Sequence, residues 1–276
     1  SSLNEDGATL TVDGKLFYDA GYSHSSPNIM YDSQLPYSNF DNWFKGMNDA
    51  DVIGESGSSN NVWDTGNGNE SKIGTAMTGY NPTTPETTTV VAGKACKMFS
   101  VYINYLGGLV KKFAAGNVYL GELTGLSGLS GAKMTFGIPS EGRLPVAVTG
   151  YYNYQPGTID YINNEKKTGG TDSMDLYIAL ATKQYSVDTN DDTSYPGGSA
   201  SDLANDPNIV AYGRLTSSET TNGYQPFYIE LTYKDNNFIP SGDLYLLTTA
   251  TSSQGGAQFT GSTSSVLYLD ELSLEF

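Results

Sequence analysis

Cysteine is nearly missing from this chain: Cys96 stands alone among 276 residues. No intrachain disulfide can form, and the expected role is a small buried hydrophobe. Histidine is as scarce, with His24 alone, so a histidine-rich metal centre is excluded and a catalytic thiol has one imidazole to call on. Positive charge is also short. Lys plus Arg number 14 against 30 Asp plus Glu, a formal charge of −16, and the only basic doublets are Lys111-Lys112 and Lys166-Lys167. Nucleic acid and anionic membrane surfaces are therefore poor partners, whereas neutral glycans, or cations held by acidic loops, fit better. No window of about 18 apolar residues exists, so no helix here would span a bilayer. No secretory signal is present either, which says little, because a mature piece would lack one. G-x-S-x-G, H-E-x-x-H and Walker motifs are all missing.

What is abundant is glycine, at 32 residues, and tyrosine, at 21. No stretch keeps a helical period, so the prior moves to one large all-β domain built of many short strands. Ala8 to Phe17 carries Thr9-Leu10-Thr11-Val12 and the hairpin signal Asp13-Gly14, which predicts an opening hairpin. Gly21 to Ser38, with Pro27 and Pro36, reads as a polar loop, and residues 1–38 fit a linker from an upstream domain ahead of a main domain at 39–276. Gly54 to Gly79 is too poor in apolar residues to pack alone and is expected to lie over something else.

Strand signals follow. Phe99, Val101, Ile103 and Tyr105 alternate with polar neighbours. Leu144, Val146, Val148, Tyr152 and Tyr154 form one inward row, Gly150 leaves room in it for a close approach, and Gln155-Pro156-Gly157 is expected to turn the chain back to a neighbouring strand. Asp175 to Thr182 is a continuous apolar run, a strand covered on both faces. Gln184 to Asn208 reads as an acidic loop. Phe227, Ile229, Leu231 and Tyr233 alternate and are expected to pair, as a meander, with Leu244 to Thr249. In the last strand Leu267 and Leu269 share one parity while Leu272, Leu274 and Phe276 share the other, which demands a β-bulge near Asp270-Glu271.

Phe40-Asp41-Asn42-Trp43, Trp63-Asp64-Thr65-Gly66-Asn67, Ala92-Gly93-Lys94-Ala95, Ala114-Ala115-Gly116-Asn117, the run from Gly150 to Gly157 and the closing Leu267 to Leu274 come in an order and spacing that resemble the putative carbohydrate metabolism domain (PCMD) of Bacteroidetes surface lipoproteins. The resemblance covers about residues 39–276. It implies a jelly-roll β-sandwich related to carbohydrate-binding modules, with long polar loops. It also implies an exported protein at the cell surface or in the periplasm of a glycan-utilising cell, with a lipid anchor outside the given chain. It hands over no catalytic residues.

A sugar-binding sandwich needs aromatic faces flanked by Asn, Asp or Gln. Trp63, set beside Asp64 and Asn67, reads either as a ligand platform or as a plug over the core; Trp43 reads as core. Tyr151 has outward parity, with Asn153 beside it, and Tyr195 in the acidic loop is a weaker candidate of the same kind. For metal, Asp188-Thr189-Asn190-Asp191-Asp192 resembles the start of a calcium loop, but Thr193 stands where the turn wants Gly and Ser199 where a bidentate Glu would close it, so an EF-hand is excluded and only an irregular site is left open. The jelly-roll resemblance suggests instead a structural calcium between Asp41 and Asp270, both equally explained as solvated turn carboxylates. For catalysis, Asp172 with Asp175, Asp202 with Asp206, or Asp270 with Glu271 would supply the two carboxylates of a glycosidase. The leading expectation is a non-catalytic carbohydrate-binding or surface-display module. A glycoside hydrolase or lyase is the second reading and a structural or adhesion protein with a protein partner the third.

Overall fold

A computed structural model of the chain describes residues 9–12, 15–18, 34–69, 74–128, 131–198, 201–235, 237–240 and 242–276. The chain divides into two units, Ser1–Gln34 and Leu35–Phe276. In the first, Thr9–Val12 pairs antiparallel with Lys15–Tyr18, and Val12 faces Lys15 across the connection. The expected Asp13-Gly14 turn and the loop up to residue 33 lie outside the described residues.

The second unit is an antiparallel sandwich of two sheets. The larger sheet runs in the order Tyr185–Asp188, Gly131–Phe136, Asn117–Ser127, Tyr245–Thr251, Met174–Ala181, Ile209–Ser217 and Thr232–Tyr233. The smaller runs Gln225–Glu230, Ala147–Gln155, Val266–Glu275, Ala95–Phe99 and Thr83–Glu86. No α-helix occurs among the described residues. The alternation seen in the sequence explains the arrangement: Leu176, Ile178 and Leu180 from one sheet meet Val148, Tyr154, Leu267 and Leu269 from the other in a single buried core. Every residue of Met174–Ala181 is buried, because the odd-numbered set, with Tyr177 and Ala179, packs into a second cluster on the outer face of the larger sheet.

The last strand contains the demanded bulge. Thr149 faces Ser273 and Tyr151 faces Asp270, so one extra residue is absorbed there, and Glu271 takes a left-handed φ of 52°. Leu267, Leu269, Leu272 and Leu274 are thereby all buried on one side. Gly150 lies across from this bulge. A Cβ added there would meet the Phe227 ring at 2.8 Å and the Asp270 carbonyl at 3.2 Å.

Several boundaries depart from the sequence reading. Leu144, Val146 and Phe276, expected in the core, are 37%, 45% and 55% exposed; they lie beyond the ends of their strands, where pleating no longer dictates direction. The 99–105 run is not one strand. Ser100 breaks it, and Val101–Tyr105 leaves the sheet to form a hairpin with Val110–Ala114. The chain likewise does not turn straight back after Gln155, but forms a small hairpin of Tyr161–Ile162 and Glu165–Lys166 before entering the other sheet. Phe227 to Tyr233 also divides: Gln225–Glu230 joins the smaller sheet and Thr232–Tyr233 the larger, with buried Leu231 between them. The expected meander therefore fails, since Tyr245–Thr251 pairs with the Asn117 and Met174 strands instead. Within the acidic loop, Tyr185–Asp188 forms an edge strand.

Ser100 marks a buried polar hub. Its hydroxyl lies 3.1 Å from Ser252 Oγ and 2.8 Å from Ser253 Oγ. Ser253 and Ser265 hydroxyls and the Ser262 N–H all donate to Asp172 Oδ2, at 2.7, 2.8 and 2.8 Å, and the Tyr154 hydroxyl donates to the Ser252 carbonyl at 3.0 Å. Asp172, 3% exposed, is thus a satisfied buried carboxylate, the arrangement that offsets the cost of taking charge out of water.

Replacing Gly150 with alanine tests the close approach at the bulge. Since Phe227 must shift to admit a methyl group, Gly150→Ala is expected to lower unfolding free energy by about 1–3 kcal/mol, measured by urea denaturation. An unchanged midpoint would show that Phe227 yields freely.

Candidate functional site

The residues singled out around Trp63 are not at the surface. Trp63 is 2% exposed, donates Nε1–H to the Pro36 carbonyl at 2.8 Å and meets Phe40 edge-on with centroids 5.6 Å apart. Its segment is a strand, Trp63–Thr65, paired with Asn117–Ser127, so parity turns the indole into the core and leaves no ring face for a sugar. Asp64 and Asn67 are buried too. Asp64 accepts the Leu123 N–H at 2.7 Å, and the Asn67 side chain bridges the Asp51 and Thr83 carbonyls. All three expected ligand contacts are framework. Trp43 is half-buried against the core, as expected, with Nε1–H on the Phe40 carbonyl at 2.6 Å. Asn153 is 8% exposed and occupied by the Thr221 hydroxyl at 2.8 Å. Tyr151 does face outward, at 37% exposure.

The carboxylates proposed for metal serve first as loop anchors. Asp270 Oδ2 accepts the Val91 and Ala92 N–H groups at 2.6 and 3.3 Å, and Asp41 Oδ1 accepts the Lys94 N–H at 2.7 Å. Gly93, with φ of 45°, runs so close to Asp41 that a Cβ would collide with its carboxylate, which explains a glycine between the anchors. Asp270 Oδ1 is buried with no hydrogen-bond partner. Burial, and then the charge of Asp41, raise the affinity of Asp270 for a proton; burial, Asp270 and Asp41 do the same for Glu271. An orphaned carboxylate oxygen among like charges suits a calcium ion, which favours oxygen ligands. Asp41 and Asp270 are the side chains that would hold it, and backbone carbonyls and water would have to supply the rest of the shell, since no cluster of three or more His, Cys, Asp or Glu able to hold a metal ion occurs among the described residues. The Asp188–Asp192 run is spent internally: Asp188 accepts from Ser127 and Asn190, and Asp191 from Thr193.

A feature that the sequence left unmarked lies on the outer face of the larger sheet. A half-enclosed cavity of about 230 Å³ is lined by Tyr119, Phe136, Tyr177, Tyr195, Lys112 and Asp175, among others. The sheet dictates its floor: Tyr119, Phe136 and Tyr177 have the parity opposite to the main core, and their rings meet edge to face at 6.1 and 6.2 Å. Tyr195, the weaker candidate from the acidic loop, is brought to the wall, and the Val101–Tyr105 and Val110–Ala114 hairpin supplies Ile103, Val110 and Lys112. Burial lowers the Lys112 pKa and raises those of Tyr119, Tyr177 and Tyr195. Asp175 is the one carboxylate among the described lining residues. Both its oxygens are taken by Arg214, Nε and Nη2 each at 2.7 Å, while Arg214 Nη1 donates to the Ser201 carbonyl at 3.1 Å. Such a bidentate pair is rigid and charge-balanced, so the hollow offers aromatic surface and fixed dipoles, with no second carboxylate opposite the first.

Members of each proposed acid pair are committed to other contacts or buried. Asp172 is in the serine hub and Asp175 is clamped by Arg214. Asp206 accepts the Tyr185 hydroxyl at 2.7 Å, and Asp202 binds Asn205. Asp270 has no exposed surface.

A family model described as putative carbohydrate metabolism domain matches residues 39–275. Among solved structures, the chain resembles a putative glycoside hydrolase from Bacteroides thetaiotaomicron, at 21% identity and a TM-score of 0.66 over 87% of this chain and 70% of that one. It also resembles a putative glycoside hydrolase from Bacteroides vulgatus, at 21% identity and a TM-score of 0.65 over 86% and 96%. At that identity the likeness is one of fold. No curated protein matches the sequence.

The orphaned oxygen gives a signed expectation. A carboxyl whose folded pKa is raised binds protons more tightly folded than unfolded, so it favours the fold at low pH, and that advantage is lost as pH climbs from the ordinary carboxylate range through the raised value. Asp270→Asn should therefore raise the melting temperature at pH 7 in EDTA and flatten the fall between acid and neutral pH. Millimolar calcium should raise the melting temperature of the wild type and not of Asp270→Asn. A wild type indifferent to calcium would leave these carboxylates as loop anchors alone.

Proposed function

Because the chain belongs to the putative carbohydrate metabolism domain family, we propose that it is a non-catalytic glycan-binding module whose ligand enters the cavity on the outer face of the larger sheet. The observation that carries this reading is the lining: three edge-to-face aromatic rings beside a single carboxylate already held at both oxygens by Arg214. Sugars bind to aromatic faces with a few fixed polar groups around them. Glycosidases need two carboxyl groups across the scissile bond, one free to give a proton and the other to act as base or nucleophile. The cavity has the first set and lacks the second. In this reading the module is exported and works where polymeric glycans are met, and calcium at Asp41 and Asp270 is structural.

The test uses a substitution from the rim. Ala257 lines the cavity from a short 3-10 turn, Gln254–Gln258, so Ala257→Trp fills the space while leaving every residue of the sheet unchanged. Isothermal titration against a panel of neutral oligosaccharides should show saturable binding to the wild type, at least ten-fold weaker in Ala257→Trp at an unchanged melting temperature. Release of new reducing ends from any panel member would replace the binding reading with a hydrolase, and an absence of binding across the panel would remove it.

A further inference from the structure

A second hollow lies where the two sheets meet at an open edge. Gln225–Glu230 is an edge strand of the smaller sheet, and Ile209–Ser217 is covered by Thr232–Tyr233 only at Ala211 and Tyr212. Between them a cleft of about 540 Å³ is lined by Tyr152, Tyr212, Arg214, Pro226, Tyr228 and Glu230, among others. Tyr228 is 63% exposed, and Tyr151, which faces Pro226 across the strand pair, continues the aromatic surface at 37%. Tyr228 stands opposite Thr149, so the two exposed rings are diagonal neighbours, within reach of one flat ligand.

We propose that this cleft is a second glycan-binding site, separate from the cavity, which holds an extended run of neutral sugar units against Tyr228 and Tyr151, the exposed rings of the smaller sheet. The proposal rests on the glycan reading of the molecule but on different residues. Its volume falls in the range of ligand clefts, about 300–1,000 Å³. Its charges point to a neutral occupant: Arg214 is already balanced by Asp175, and the other charged residue among the described lining is Glu230, so a polyanion gains nothing there. Glu230, Thr232 and the uncovered strand edges supply donors and acceptors for hydroxyl groups. A strand of another chain is disfavoured as occupant, because Pro226 removes a backbone donor near the start of the exposed edge and blunts it against pairing. Two sites on one module would give tighter binding to a polymer than to short fragments.

Native affinity electrophoresis through gels containing arabinoxylan, galactomannan or mixed-linkage β-glucan tests the inference, with wild type, Tyr228→Ala and Ala257→Trp run side by side. The expected result is that Tyr228→Ala weakens retention by a retained polymer about three- to ten-fold, the loss of one aromatic contact, with an unchanged melting temperature, and that combination with Ala257→Trp abolishes it. Equal retention of wild type and Tyr228→Ala would overturn the second site while leaving the glycan reading in place. A concentration-dependent dimer that Tyr228→Ala dissolves would overturn it by placing a second copy in the cleft. Failure of any polymer to retain the wild type would overturn both readings.

Discussion

The register of the closing strand governs the sandwich. Val266–Glu275 is paired on both flanks, with Ala147–Gln155 and Ala95–Phe99, and its apolar residues change parity halfway. A regular strand would drive either Leu267 and Leu269 or Leu272 and Leu274 out of the core, at roughly 1.5–3 kcal/mol for each leucine exposed. One extra residue at Glu271 keeps all four inside. The same irregularity aims the Asp270 carboxylate at the 91–92 backbone and sets Gly150 where only a hydrogen fits beside Phe227. Packing on one face of the strand and loop anchoring on the other are thus settled by a single local choice.

The two faces of the larger sheet divide the labour. Even-numbered side chains of Met174–Ala181 build the core between the sheets; odd-numbered ones carry Tyr177 and Asp175 to the cavity. A strand buried on both faces reads as uniform apolar sequence, yet its second face here is covered by an acidic loop and a detached hairpin rather than by another layer of sheet. Cover of that kind leaves gaps, and a gap floored by interlocked aromatic rings is where a ligand finds shape.

Much of the framework was legible beforehand because it rests on parity. The bulge, the close approach at Gly150, the doubly covered Asp175 to Thr182 run and the outward turn of Tyr151 all follow from counting positions by twos. Parity is silent about which sheet a strand joins, so the breaks at Ser100 and Leu231 were missed: both runs keep their alternation straight through the change of sheet. Trp63 misled for a related reason. Its neighbours are polar because Asp64 and Asn67 serve backbone groups inside the fold, and a satisfied buried carboxylate or amide looks in sequence like a solvated one. The cavity was invisible because its walls come from positions as distant as Thr75 and Phe259; Tyr195 had been marked only by its place in a polar loop, and Asp175 only as half of an acid pair.

The serine hub bears on how this molecule can change. Segments around Ser100, Tyr154, Asp172, Ser253 and Ser265 share one set of donors and acceptors, so no partner can be exchanged alone without stranding the others in a dry interior. Rim residues such as Ala257 and Tyr228 answer to no such committee. Diversification of what the module grips is therefore free to proceed at its edges for as long as a handful of small hydroxyls at its centre stays frozen.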